Sequence, residues 1–463
     1  MTIHRLLRLR AKETPERVFL IFEGREYTYR ELDERSDRVA ARLVRAGVRP
    51  GDHVAMLMGN CPEFLLAWFG ILKAGAALVP VNPGLKRSEI EFIREHSESR
   101  VVVTPADFEH GFEDPPVALS EVGPEALAAI VYTSGTTGKP KGAMLTHTNY
   151  LWDAKAIVRA TKMTSADRFL CLLPLFHVNA QVVTTLAPMV AGGSMVLMRK
   201  FSPLQMLETL AKTGATAFSG VPTVYAILNS TPGVDKYDLS RLRFCICGAA
   251  PMPVEVFEEF ERRFHATLLE GYGLTEGTCA SSVNPPDRCK IGSIGVPLEG
   301  QEMQLVDEEI VIRGPNVMKG YYKNPQATAG TIKDGWLYTG DLGRVDEEGY
   351  FFIIGRKKEM IIRGGQKVYP KEVEEVLYQH PTVAEAAVVG VSDPKWGEEV
   401  AAYVVRRGSV SEAELLAFCR ECLADFKCPK SIAFREVLPK TATGKVQKHL
   451  LKEVFEYSDK LTR

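Results

Sequence analysis

This sequence has no apolar run that reads as a membrane span. Its longest apolar zones, residues 65–81 and 170–198, are broken by Lys73 in the first and by Pro174, His177, Asn179, Pro188 and Gly192-Gly193 in the second. Both read as buried protein. The N-terminal residues lack an apolar core with a small-residue cleavage site, so no secretory signal is expected. An excess of charge of one sign is also missing. Lys+Arg number 57 against 58 Asp+Glu, a formal net charge of −1, which excludes a global pull toward nucleic acid or anionic membrane. Nine cysteines are scattered over 463 residues, which suits free thiols in a reducing compartment, and a cytoplasmic protein is expected. Cys419-x-x-Cys422, with Cys428 nearby, has no second pair or histidine at ligand spacing, and residues 411–423 read as an amphipathic helix, so zinc is not expected there. Cys245-Ile246-Cys247 reads as strand core. No internal repeat is evident.

A chain this long can bury a large core in two or three domains. Strand-like runs at 54–58, 76–81, 100–104, 126–132, 168–173, 194–198, 215–219 and 242–247 alternate with helical patterns. Such alternation predicts α/β layers with largely parallel strands. The end of the chain has its own alternation, with helices over 371–380, 411–423 and 446–455 and strands over 384–391, 400–405 and 431–437. It reads as a small α+β domain, 358–463, on a short hinge after a large domain, 1–357.

The most informative stretch is Y-T-S-G-T-T-G-K-P-K-G, from Tyr132 to Gly142. It follows the buried strand-like run and offers backbone N–H groups, hydroxyls and lysines to a polyphosphate. A Walker A loop it is not: two residues rather than four separate Gly135 from Gly138-Lys139, and Pro140 follows the lysine without an N–H. Read alone, it is either a nucleotide loop or a ligand-free surface loop.

Other motifs decide between these. In order they are Pro174-Leu-Phe-His177, Gly248-Ala-Ala-Pro251, Gly271-Tyr-Gly-Leu-Thr-Glu276, Tyr338-Thr-Gly-Asp341, Gly355-Arg356 and Pro439-Lys-Thr-Ala-Thr-Gly-Lys445. With this order and spacing the chain resembles, over nearly its whole length, the superfamily of acyl-CoA synthetases, peptide-synthetase adenylating domains and firefly luciferase. Within it, the likeness is greatest to fatty-acid and crotonobetaine/carnitine CoA ligases. The resemblance implies a layered α/β adenylating domain of several subdomains and a mobile C-terminal domain. It also implies site roles. Thr133, Ser134, Gly135, Thr136, Thr137, Gly138, Lys139 and Lys141 would hold ATP phosphates, and Gly248, Ala249 and Ala250 would line the adenine. Tyr272 would stack on that base, Asp341 and Arg356 would take the ribose, Thr275 would meet the α-phosphate, and Glu276 with Thr136 would place Mg²⁺. Lys445 is the implied catalytic lysine, with Thr275, Glu276 and His177 beside it.

The implied reaction joins a carboxylate to Mg-ATP, giving acyl-AMP and pyrophosphate, and then to coenzyme A, giving acyl-CoA and AMP. Two anions must meet, so positioning and charge neutralisation dominate. In the family the small domain then swings, Lys445 leaves, and Gly364-Gly365 arrives to line the CoA tunnel; Lys358 occupies the hinge position. His177, Val178, Asn179, Ser219, Val221, Thr223, Gly273, Gly277, Thr278 and Cys279 are the implied acyl-pocket wall. The aspartate that amino-acid-activating relatives use is absent. Gly273, where acetate-specific relatives carry Trp, is expected to leave room for an acid larger than acetate, such as a medium- or long-chain fatty acid.

The chain departs from the pattern around 104–125, where it is short, and between Val306 and Ile310, where a Gly/Glu-rich hairpin is reduced to Asp-Glu-Glu. It ends soon after the last expected helix, so no carrier-protein domain is expected on it. Two other readings stand beside the ligase: an adenylating enzyme that loads a separate acyl carrier protein, and a non-catalytic nucleotide-binding regulator. The partners expected are the acid, ATP and CoA, with no nucleic acid and no membrane span; a homodimer is left open.

Overall fold

The computed structural model describes residues 1–109, 121–133, 140–250, 252–441 and 446–452. Four sheets organise it. The largest runs Val296–Pro297, Ser282–Val283, Thr267–Tyr272, Phe244–Cys247, Ala217–Gly220, Arg168–Cys171, Ser194–Leu197, Val18–Phe22, Arg25–Thr28. From Thr267–Tyr272 to Val18–Phe22 its strands are parallel, and antiparallel pairs close both edges. These parallel strands are short and buried on both faces, as expected of a sheet with helices packed over it. A second sheet places Ser99–Val103, His53–Leu57, Ala77–Val81 and Leu127–Thr133 in parallel, then adds Lys141–Thr146 and Gly320–Tyr321 antiparallel.

All eight strand-like runs form strands there. The expectation of largely parallel strands holds for these two sheets only. The third sheet, Glu302–Val306, Glu309–Arg313, Trp336–Val345, Ile332–Lys333 and Phe351–Arg356, is antiparallel throughout. The fourth joins Gln366–Val368, Ile361–Arg363, Gly397–Arg406 and Val383–Asp393 antiparallel, with Ser431–Arg435 parallel at its side. The alternating pattern does not announce the third sheet, because two-residue hairpin turns leave no helical stretch between its strands; the fourth falls in the end of the chain, expected to be α+β. At Asp307-Glu308 both residues adopt positive φ, 48° and 65°, and join two strands in register. The reduced hairpin is thus a tight turn rather than a missing one.

Hydrophobic clusters divide near the expected hinge. Those of the large part reach Phe351 and Ile353, and two others draw only on residues from Ile361 onward. Helix Pro370–Gln379 starts on proline, and Glu412–Cys422 starts on a Ser411–Glu414 capping box. Lys73, which broke an apolar zone, is fully buried on helix Pro62–Lys73 and pairs with Asp33 at 2.6 Å and Asp37 at 2.7 Å. No helix is long and apolar enough to cross a membrane among the described residues.

Candidate active site

Parallel strands deliver their C-terminal ends to one edge of the sheet, and three glycines meet there. Gly248 N–H donates to Gly220 O at 3.3 Å, and a Cβ on Gly248 would lie 3.2 Å from Gly271 O. A side chain at Gly248 would crowd the neighbouring strand end. The segments expected to hold acyl group, adenine and α-phosphate are thereby gathered on one edge.

On the nucleotide side, Asp341 and Arg356 stand directly opposite each other on adjacent antiparallel strands. Arg356 Nε donates to Asp341 Oδ1 at 2.6 Å, and Tyr272 Oη donates to Asp341 Oδ2 at 2.7 Å. Asp341 is buried, and each of its oxygens keeps a further acceptor position for a diol. Burial, followed by the Asp341 charge, pushes the Tyr272 phenol well above its ordinary value, so it remains a donor. Ala249 holds φ at +71°, a conformation rarely adopted by non-glycine residues, in the segment expected at the adenine.

Glu276 is the middle residue of the Thr275–Gly277 turn. Its Oε1 accepts from Tyr321 Oη at 2.8 Å and from Thr133 Oγ1 at 3.4 Å, bringing it to the base of the phosphate loop. That loop closes an antiparallel hairpin whose last pair is Thr133 with Lys141, rather than opening a helix. Lys141 Nζ lies 5.2 Å over the Tyr321 ring. Ser134, Gly135, Thr136, Thr137, Gly138 and Lys139 lie outside the described residues, as does Lys445. No group of three His, Cys, Asp or Glu that could hold a metal occurs among the described residues, Cys419 and Cys422 included. Mg²⁺ asks for less, one or two carboxylates with phosphate oxygens supplying the rest, and Glu276 beside the loop meets that requirement.

The residues expected to wall the acyl side include buried polar atoms that lack partners. His177 Nε2, Asn179 Oδ1 and Ser219 Oγ are all buried without a hydrogen bond among the described residues. Each such group costs stability unless something satisfies it. His177 caps the helix Val178–Gln181, which runs into a π-helical turn, Val182–Leu186, of the kind that recurs at functional sites. Val221 and Thr223 sit at the cap and first turn of helix Pro222–Ser230.

Opposite them, Thr278 has φ +68° and ψ −63°, and Cys279 N–H donates to Gly277 O at 2.9 Å. This is the rare, strained form of the γ-turn, here built on a β-branched residue. It aims Cys279 O at Gly273, where a Cβ would come within 1.6 Å. Gly273 is therefore required by backbone packing, a reason different from the open pocket expected of it. Residues that sequence reasoning missed lock the turn: Asn316 O accepts from Thr278 Oγ1 at 2.6 Å, Asn316 Nδ2 donates to Gly277 O at 3.2 Å, and Asp153 Oδ2 accepts from Ala280 N–H at 3.0 Å. Tyr321 was missed as well. These contacts cross 36 or more positions, and no local pattern announces them.

The expected CoA and hinge residues follow Arg356 in the chain. Gly364-Gly365, with φ +56° and +83°, is the exposed two-residue turn of a hairpin packed on Trp396. Lys358 lies in the turn after Arg356, where Lys357 pairs with Glu309 at 2.9 Å.

Burial holds His4 and His177 at about 4 and His147 at about 3, so these rings are neutral in the fold and charged in the acid-unfolded chain. Their contribution is lost as pH falls below the ordinary 6.5 toward 4. Glu270 acts with the opposite sign, because burial raises it from 4.5 to about 7 and the fold keeps a proton that the unfolded chain releases. Its contribution is present at low pH and fades as pH rises through 7. Glu270→Gln is therefore expected to lower Tm relative to the parent more at pH 5 than at pH 7. Thermal melts across that range test it, and an equal offset at both ends would remove Glu270 from the account.

Comparisons with known proteins show the family. Residues 7–322 match the AMP-binding enzyme family, and residues 372–445 match the AMP-binding enzyme C-terminal domain. The chain is 39% identical to a feruloyl-CoA synthase of an Amycolatopsis species, over 96% of this chain and 97% of the relative. It is 34% identical to a long-chain-fatty-acid–CoA ligase of Bacillus subtilis, over 98% and 95% respectively. Among solved structures it resembles the o-succinylbenzoate CoA synthetase of Bacillus subtilis in complex with its acyl-adenylate intermediate. The TM-score is 0.88 and the identity 34%, covering 96% of this chain and 97% of that one.

Proposed function

The chain belongs to the AMP-binding enzyme family and is an acyl-CoA synthetase, and from that premise we propose which residues do the chemistry and which acid it takes. Asp341 and Arg356 bind the ribose, with Tyr272 held beside them for the adenine. Thr275 and Glu276 stand at the α-phosphate, and residues 133–141 hold the outer phosphates. Magnesium, placed by Glu276, would neutralise phosphate charge. The acid's carboxylate attacks the α-phosphorus and pyrophosphate leaves; the CoA thiolate then attacks the acyl carbon and AMP leaves. Lys445, carried by a C-terminal domain beginning at Lys358, bridges carboxylate and phosphate in the first step only. A regulator without turnover would need none of this, and that reading is set aside.

The acid is larger than acetate and carries a hydrogen-bonding group beyond its carboxylate. The observation that supports this is the set of buried, unpartnered atoms on His177, Asn179 and Ser219, which a saturated chain would leave unsatisfied. A neutral His177 both donates and accepts, which suits a phenol, a carbonyl or a second acid group. Similarity to feruloyl-CoA and o-succinylbenzoate enzymes points the same way, whereas similarity to a long-chain fatty-acid ligase keeps plain fatty acids in the panel.

Pyrophosphate release with Mg-ATP, measured across saturated fatty, hydroxycinnamic, aroyl and dicarboxylic acids with and without CoA, tests the assignment. Fastest release with a plain fatty acid would overturn the polar-acid reading. Adenylate formation indifferent to CoA would make a carrier protein the acceptor. Lys445→Ala is expected to abolish acyl-AMP formation while leaving thioester formation from supplied acyl-AMP largely intact; equal loss in both half-reactions would remove that division of labour.

A further inference from the structure

We propose that a second anion site lies at the opposite edge of the large sheet, in a cavity of ≈ 160 Å³ lined by Arg17, Arg168 and Arg241, and that it takes a phosphate-class oxyanion. The cavity opens at the N-terminal ends of the parallel strands. Arg17 directly precedes Val18–Phe22, Arg168 and Ser194 begin their strands, and Gly214 and Arg241 lie just ahead of the strands Ala217–Gly220 and Phe244–Cys247. The acyl and nucleotide residues follow the other ends of the same strands. Four residues of strand put roughly 13 Å between the two edges, so no ligand of the active site reaches this cavity through the sheet.

Three guanidiniums in one small cavity repel one another, and in a stable fold they are ordinarily neutralised. Here, among the described residues, none of the three forms an ion pair. Arg17 Nη2 donates to Ser165 O, Arg168 Nε donates to Ser194 Oγ at 3.2 Å, and Arg168 Nη1 donates to Thr213 O. These are neutral oxygens that fix the guanidiniums without cancelling their charge. Arg241 is seated by Gly214, whose φ of +59° and missing Cβ let Arg241 Cδ approach to 3.1 Å of where that atom would be. Of the carboxylates, Asp167 is committed to Arg243, Thr216 and Thr164, and Glu26 reaches Arg168 only through its field. Burial and the neighbouring Arg241 lower Arg168 from its ordinary value, the direction expected of cationic groups held together.

Each guanidinium has five N–H donors, and the cavity that the three arginines line has room for about five water molecules. A tetrahedral oxyanion fits such a space and matches the fork geometry of arginine. A whole nucleotide does not fit, so the ligand is either free phosphate or the terminal phosphoryl group of a larger ester.

Calorimetric titration of inorganic phosphate tests this, with the phosphate loop first saturated by Mg²⁺ and α,β-methylene-ATP. One saturable equivalent is expected for the parent enzyme. The double variant Arg17→Ala/Arg241→Ala, both exposed positions, should weaken it about tenfold or more, as loss of charge-assisted hydrogen bonds implies. Ala166→Glu should do the same with all three arginines in place, by putting a carboxylate in the mouth. Turnover with ATP should be unchanged in both. Absence of saturable binding to the parent, or equal affinity in both variants, would overturn the site. A glycerol 3-phosphate arm separates the sources: tighter binding than phosphate assigns the site to an ester, weaker binding to the free anion.

Discussion

Asp341→Ala is expected to lower kcat/KM for ATP in pyrophosphate exchange by roughly a thousandfold, the largest effect of any single truncation on the nucleotide side. The carboxylate is buried, and both oxygens are engaged, one by Arg356 at 2.6 Å and one by Tyr272 at 2.7 Å. Removing one member of a buried charge pair typically costs about 3–5 kcal/mol, because its partner is left without compensation. Arg356 is about two-fifths exposed and will recover part of this through water, so the lower end applies. Tyr272 would lose its carboxylate acceptor and keep only the neighbouring Thr339 hydroxyl, which holds the ring less firmly. With the ribose contact gone too, the losses combine at one point. Asp341→Asn keeps the shape and one acceptor and should retain more activity than alanine. Equal kcat/KM for Asp341→Ala and the parent would mean that the ribose is held elsewhere.

Gly273→Ala should be nearly as severe, for a steric reason. The added Cβ would lie 1.6 Å from Cys279 O, 2.6 Å from Cys279 C and 2.9 Å from Ala280 Cα. All three are backbone atoms, so no rotamer change relieves the overlap. The segment they belong to is pinned by Asn316 and Asp153, and its γ-turn is already strained. Overpacking of this kind costs about 3 kcal/mol or more, and the displaced segment belongs to the proposed acyl wall. The variant should show a lowered Tm and at least about a hundredfold loss in kcat/KM for the acid. Gly277→Ala is the control, because its Cβ would meet Leu274 Cδ2 at 3.2 Å and Ser281 Oγ at 3.3 Å, side-chain atoms that can yield. If both variants behaved alike, the 279–280 backbone would be free to move and the packing argument would fail.

Much of the site was legible because the chemistry is local. Tyr272, Thr275 and Glu276 share one turn, and the buried strand before the phosphate loop is continuous in sequence. Asp341 and Arg356 could be assigned through resemblance, but their pairing follows from strand register, which brings positions 15 apart face to face. Tyr321, Asn316 and Asp153 were invisible for the same reason: each meets its partner through tertiary packing. Asp153, on a helix, looks like an ordinary surface acid in sequence, yet it is fully buried and its carboxyl is pushed well above the usual range by that burial.

By itself, the sequence determined what depends on near neighbours: alternating strands and helices, a glycine-rich loop without a Walker lysine, and an ordered series of motifs that names the family. Those features follow from backbone preference, periodicity and spacing, all of which act over a few residues. Only the tertiary structure decided that the third sheet is antiparallel throughout, that Gly273 is demanded by the Cys279 carbonyl, that three polar atoms in the proposed acyl wall stand unpartnered, and that three arginines converge at the far edge of the sheet. Each of these is settled by strand register and close packing, which join residues far apart in the chain and leave no trace in the order of either segment alone.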